Sequence, residues 1–153
     1  MAEPRIFASP ADLRAAVGER LGTSDWLDVG QDRIDRFAAA TGDHQWLHVD
    51  PVRAAAGPFG TTIAHGYLTL ALLPALVPGL LHVAGARMAV NYGVNRVRFP
   101  APLPAGSRVR ATGRIAEVGD VPGGVQLTLA VTVERDGGER PVCAAETVTR
   151  YYL

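Results

Sequence analysis

The chain has a single cysteine, Cys143, in 153 residues, so no disulfide can form within it. With Ala144 and Ala145 beside it, this thiol reads as small core packing rather than as a nucleophile. Neither sign of charge is in excess. Lys plus Arg number 15 and Asp plus Glu number 15. The balance leaves no basic stripe for a nucleic acid or an anionic membrane surface. Long hydrophobic runs are also missing. The longest, over 70–81, contains Pro74, Pro78 and Gly79 and is too short and too broken to span a bilayer. The opening Met1-Ala2-Glu3-Pro4-Arg5 lacks the apolar core of a signal peptide. A cytoplasmic protein is the expectation. No internal repeat or low-complexity linker divides the chain, whose length suits one domain. It is read as a single unit over 1–153, with 1–24 as a peripheral helix and lead-in.

What is present is an ordinary globular composition. Hydrophobic residues make up 48% and charged residues 20%, enough apolar surface to build a core. The pattern changes near residue 82. Before it, helix-like segments and loops dominate; after it, the chain reads as successive strands, an α+β order. Ser9-Pro10 opens a short helix to about residue 17. Residues 24–29 suit a short strand. Over 31–40, Ile34, Phe37 and Ala38 share one helical face, and Gly42 is placed to close that helix. Asp50-Pro51 starts another short helix, ended by Gly57-Pro58. The stretch 66–77 is apolar on nearly every side and is expected to be a buried helix, bent or ended near Pro74. Four strands follow, at about 86–99, 106–118, 124–135 and 140–152. Pro122-Gly123-Gly124 and Asp136-Gly137-Gly138 are read as hairpin turns. Periodicity alone yields one buried helix and four or five strands.

The chemistry concentrates in Thr41-Gly42-Asp43-His44-Gln45-Trp46-Leu47-His48 and, further on, His65-Gly66. Asp43 and His48 are a carboxylate and an imidazole in a loop whose Trp46 and Leu47 should fold inward. Such a pair can hold one water and move its protons near neutral pH. Water adds to an alkene only if the alkene is activated, for example by a thioester, whose oxygen then gains negative charge. An amide at a helix start can stabilise that charge. Gly66 opens the apolar helix and has no side chain to block the approach. Taken singly, Asp43 also suits a turn and His48 a backbone hydrogen bond.

At these residues the chain resembles the MaoC-like dehydratases, a family that includes (R)-specific enoyl-CoA hydratases. The likeness rests on residues 37–48, on Ile63-Ala64-His65-Gly66-Tyr67, and on Phe99-Pro100-Ala101-Pro102 followed by Gly106-Ser107. It runs from about Gln31 to the C-terminus. The family's Asn-Pro is Gln45-Trp46 here, which, with Asn91-Tyr92-Gly93, is more like the NodN-type subgroup. The resemblance implies a single hot-dog fold, a long antiparallel sheet wrapped around a buried central helix. It implies reversible hydration of a trans-2-enoyl-CoA to an (R)-3-hydroxyacyl-CoA, or the reverse dehydration, with Asp43 and His48 activating the water. Which of the two moves each proton is left open. Gly66 would polarise the thioester carbonyl, and Gln45, Asn91, Ile63 and Tyr67 would contact substrate. Core packing accounts equally for Ile63 and Tyr67, and a satisfied sheet position for Asn91. His65 is read as orienting its loop through hydrogen bonds.

The resemblance further implies no cofactor and no metal, an acyl-CoA or acyl-carrier thioester as substrate, and a homodimer. Arg96, Arg98, Arg108, Arg110 and Arg114 are read as solvated strand faces, with contact to CoA phosphates as their second use. Two other functions stay open: a hot-dog thioesterase, and a non-catalytic acyl-thioester-binding protein. No pattern in the sequence sets the acyl length.

Overall fold

The computed structural model describes residues 2–153. The N-terminal part carries a strand β1 (Arg5–Phe7), a helix α1 (Pro10–Ala15) and strands β2 (Arg20–Thr23) and β3 (Leu27–Val29). As expected, Ser9 caps α1, its hydroxyl accepting from the Asp12 amide at 3.2 Å, and Pro10 takes the first turn. Helix α2 (Gln31–Thr41) buries Ile34 and Ala38. Gly42 ends it at φ 80°, its amide donating to the Ala38 carbonyl at 2.8 Å. That left-handed turn is open to glycine without a Cβ penalty.

Two short helices follow, α3 (Trp46–Val49) and α4 (Pro51–Ala55). The Asp50 carboxylate caps α4 by accepting from the Arg53 amide at 3.0 Å. The apolar central segment is α5 (Gly66–Ala71) and α6 (Leu73–Leu76), then a 3₁₀ turn (Val77–Gly79). It breaks at Leu72, two residues before Pro74, which has no amide hydrogen to continue the ladder. Leu68, Leu72, Leu76 and Leu80 recur every fourth residue and are all buried, forming one apolar stripe. The expectation of burial on every side is corrected. Ala71, Pro74 and Ala75 are exposed and Tyr67 is 72% exposed. Within one chain the helix is covered only on the face turned to the sheet.

Strand β4 (Leu81–Val83) pairs in parallel with β1. The main sheet is built from β5 (Met88–Arg98), β6 (Ser107–Val121), β7 (Gly124–Arg135) and β8 (Cys143–Tyr152). Its order is β2-β6-β7-β8-β5, with β3 also on β6, and the strands pair antiparallel. Cross-strand rows supply the inner face: Ala111, Val133 and Cys143 form one, and Gly113, Val131 and Ala145 the next. Every position in these two rows is buried, Gly113 included. Gly113 has no side chain where the Leu80 side chain descends; a Cβ there would lie 3.0 Å from Leu80 Cδ1. The central helix therefore sits against the sheet by one leucine stripe. This is the hot-dog arrangement, α+β, with a long antiparallel sheet around a central helix.

Pro122-Gly123 makes the two-residue turn between β6 and β7, with Gly123 at φ 80°. The Asp136-Gly137-Gly138 turn is present, the Gly138 amide donating to the Arg135 carbonyl at 3.0 Å, and it opens a longer connection over 136–142 between the antiparallel β7 and β8. The arginine cluster is corrected. Arg96 and Arg98 lie on or beside β5, whereas Arg108, Arg110 and Arg114 lie on β6, with β7 and β8 between them. Arg108 pairs with Asp136 and Arg110 with Glu134, and both guanidinium groups lie over Trp26. Among the described residues, no helix is long and apolar enough to cross a membrane.

Candidate active site

The Gly42 turn releases the chain from α2 directly into Asp43. The exposed Asp43 carboxylate accepts from the Gln45 amide at 3.4 Å, a local turn that shapes the loop. The single turn α3 then carries His48 inward until the residue is only 8% exposed. Trp46 holds that turn in place. Its ring lies against Gly57, where a Cβ would come within 3.0 Å, and beneath the Arg53 guanidinium at 4.5 Å.

The second block meets the first through main-chain bonds. The Ile63 amide donates to the Leu47 carbonyl at 3.0 Å, and the Ala64 amide to the Leu103 carbonyl at 2.8 Å. His48 Nδ1 lies 2.7 Å from the Ile63 carbonyl oxygen. A carbonyl only accepts, so Nδ1 carries the proton and Nε2 presents the lone pair. Burial holds the His48 imidazolium down, so its pKa lies below the ordinary 6.5, against a smaller opposite effect of the Ile63 carbonyl. The ring is thus neutral and basic at neutral pH.

A carboxylate oxygen of Asp43 and one ring nitrogen each of His48 and His65 all lie within 4.8 Å of one another. One water bridging two of them needs two hydrogen bonds of about 2.8 Å each, which spans this gap. A shared metal ion fits less well. The His48 and His65 rings stack with centroids 3.9 Å apart and planes only 25° apart. An ion bonded at about 2.0–2.1 Å must lie near the plane of each imidazole, and planes so nearly parallel do not meet that close to the rings.

Gly66 is the first residue of α5. The Leu68 and Thr69 amides turn back to the His65 carbonyl, so the Gly66 amide is an orphan donor of the helix start. The absence of a side chain has a second reason besides access: a Cβ there would lie 2.7 Å from Phe99 Cδ2. Other expected site residues are more scattered. Gln45 is exposed beside Asp43. Ile63 contributes its carbonyl, not its side chain, to His48. Tyr67 is on the exposed side of α5, edge-on to Phe99 at 6.2 Å. Asn91 is not among the dyad's partners. It lines a cleft of about 430 Å³ between α5–α6 and strands β5 and β8, with Leu70, Ala71, Pro74 and Val94.

Gln31 escaped notice in the sequence. Its Nε2 donates to the His48 carbonyl at 2.7 Å and its Oε1 accepts from the Thr62 hydroxyl. One side chain therefore ties both loops to the start of α2. A polar residue at a helix start gives no such signal by itself.

The match to the MaoC like domain family covers residues 12–136. This chain belongs to the MaoC-like dehydratase family. The match begins before Gln31 and ends before β8. Across 96% of the chain and 98% of the relative, it is 58% identical to 3-hydroxyacyl-thioester dehydratase Z of Mycobacterium tuberculosis. It is 46% identical to Nodulation protein N of Rhizobium leguminosarum bv. viciae, covering 92% of this chain and 89% of that one, as the NodN-type reading expects. A solved (R)-hydratase from A. caviae involved in PHA biosynthesis superposes with a TM-score of 0.67 at 26% identity. That likeness covers 87% of this chain and 94% of the hydratase.

Proposed function

We propose that this protein reversibly hydrates trans-2-enoyl thioesters to (R)-3-hydroxyacyl thioesters. The observation that carries the reading is the buried His48, its Nδ1–H committed to the Ile63 carbonyl and its Nε2 free. Asp43 stands one water away. In the hydration direction, the water oxygen bonds to C3 as the C2=C3 π bond opens. One water proton passes to the Asp43–His48 pair, and a proton returns from that pair to C2 on the same face. Charge that develops on the thioester oxygen meets the Gly66 amide. Gln45, exposed beside Asp43, offers an amide to the substrate, and the Ile63 carbonyl holds the base. The acyl tail follows the central helix from Gly66 into the apolar cleft where Asn91 lies, with Tyr67 at its entrance. The acyl carrier is CoA or a carrier protein, and the reaction calls on no cofactor.

A second copy of the chain completes the particle in this reading. Strand β5 ends the sheet, and its Met88, Val90, Tyr92 and Val94 are exposed. A long apolar edge strand of this kind invites pairing.

The test is turnover of crotonyl-CoA without added metal or nucleotide, with the product's configuration determined. Asp43→Asn and His48→Gln are expected to lower kcat by at least ~100-fold, as general acid–base catalysis contributes roughly 10²–10⁴-fold, while the fold survives. Full activity in both variants refutes the dyad. A thiol-trapping reagent separates hydrolysis from hydration, because only hydrolysis frees CoA. Saturable acyl-CoA binding with no turnover at any chain length would mark a non-catalytic binding protein.

A further inference from the structure

The buried ring of His65 touches both members of the dyad. It is 3% exposed. Its Nε2 lies 3.0 Å from the main-chain oxygen of Asp43, and its face stacks on the His48 ring at 3.9 Å. Phe37 from α2 closes its far side edge-on at 4.9 Å. Its other nitrogen, Nδ1, is buried with no hydrogen-bond partner. Buried polar atoms are nearly always paired, and an unpaired one is costly. A phenylalanine would fill the same space and stack on His48 without that orphan nitrogen. What only the imidazole supplies is the Nε2–H donor aimed at the Asp43 carbonyl.

We infer that His65 is the positioning residue of this site: its Nε2–H anchors the Asp43 backbone while its face fixes the plane of the His48 ring. Resting on the hydration reading above, this inference gives one side chain control of the gap that the water must bridge. Asp43 follows a glycine turn and is exposed, so its position depends on that anchor. His48 is held at Nδ1 by Ile63, and the stacked ring removes its remaining freedom to tilt. The sequence places His65 beside Gly66, so the same residue also precedes the amide that meets the thioester. A displacement of about 1 Å at such a site costs roughly 100-fold in rate.

The experiment compares His65→Phe, which keeps a stacking ring, with His65→Gln, which restores a donor near the Nε2 position. His65→Phe is expected to lower kcat on crotonyl-CoA by about 100-fold, with KM and melting temperature little changed. His65→Gln restores the donor but not the stacked face, and is expected to recover part of that loss. Wild-type kcat in His65→Phe, or equal losses in both folded variants, overturns the proposal. A readout that needs no variant is the His65 tautomer in the wild-type protein by ¹H–¹⁵N spectroscopy. The proton is expected on Nε2; finding it on Nδ1 alone overturns the proposal. Wild-type inactivity on every enoyl thioester would instead sink the hydration reading, and the tautomer would still decide the anchor.

Discussion

Replacing Gly66 by alanine separates two reasons for that glycine. The added Cβ would sit 2.7 Å from Phe99 Cδ2 and 2.9 Å from two further ring atoms. Carbon atoms prefer about 3.5–4.0 Å, so the ring must retreat by roughly 1 Å. Phe99 is 38% exposed and can give way on its outer side. Overpacking costs about 1–3 kcal/mol, partly offset because alanine in a helix is favoured over glycine by about 0.5–1 kcal/mol. A net loss of up to about 2.5 kcal/mol follows, and at about 2–4 °C per kcal/mol for a chain of this size the melting temperature falls by no more than about 10 °C. Activity should fall further than stability. The methyl group crowds the amide that meets the thioester oxygen, and loss of one such donor costs about 10²–10³ in kcat. Calorimetry and crotonyl-CoA turnover should therefore be measured on Gly66→Ala, on Phe99→Ala and on the double variant. The double variant is expected to melt higher than the two separate losses would give, yet to stay slow. If it regains wild-type turnover, Gly66 serves only to seat the Phe99 ring, and the amide assignment is refuted.

The acid limb of kcat/KM should lie below pH 6.5, because burial lowers the pKa of His48 and the active base is the neutral ring. The same shift affects stability: above pH 6.5 the residue is neutral folded or unfolded, and as pH falls below it the unfolded chain takes the proton first. Stability should drop across that window until the folded protein's own lower value is passed, and His48→Gln should flatten the slope in denaturant titrations. The Cys143 thiol is 1% exposed and pushed up to about 11 by burial. It should ignore thiol reagents at pH 8 until the protein unfolds, and prompt labelling of native protein would contradict the packing. Charging the free edge by Val90→Asp with Val94→Asp should convert a two-copy particle to single chains in sedimentation velocity. An unchanged mass would remove β5 as the contact.

Much of the fold was legible because its signals are local. Gly42 ends α2 where its backbone freedom is needed, Ser9 and Asp50 cap the helices that follow them, and Pro74 interrupts the central helix. The alternation of Leu127, Leu129, Val131 and Val133 places β7 as a half-covered strand. Strands β1, β2 and β4 went unread. Each has three or four residues, too few for a period to show, and each exists because a partner strand lies beside it. The one-turn helix α3 was hidden for the same reason: tertiary bonds from Ile63 to Leu47 and from Gln31 to His48 hold it.

For the site, residue types and spacing by themselves grouped Asp43, His48 and Gly66 as the parts of one proposed chemistry. Only the tertiary structure decided how they are used. His48 gains its tautomer from a carbonyl fifteen residues away, and Gly66 is required partly by the Phe99 ring. The arginines that look clustered in the chain are separated by two strands, since neighbours in sequence need not be neighbours in a sheet. His65 shows the difference best. As a letter beside Gly66 it suggests a loop residue. Folded, it lies against both halves of the dyad, because burial and stacking depend on which loops pack together.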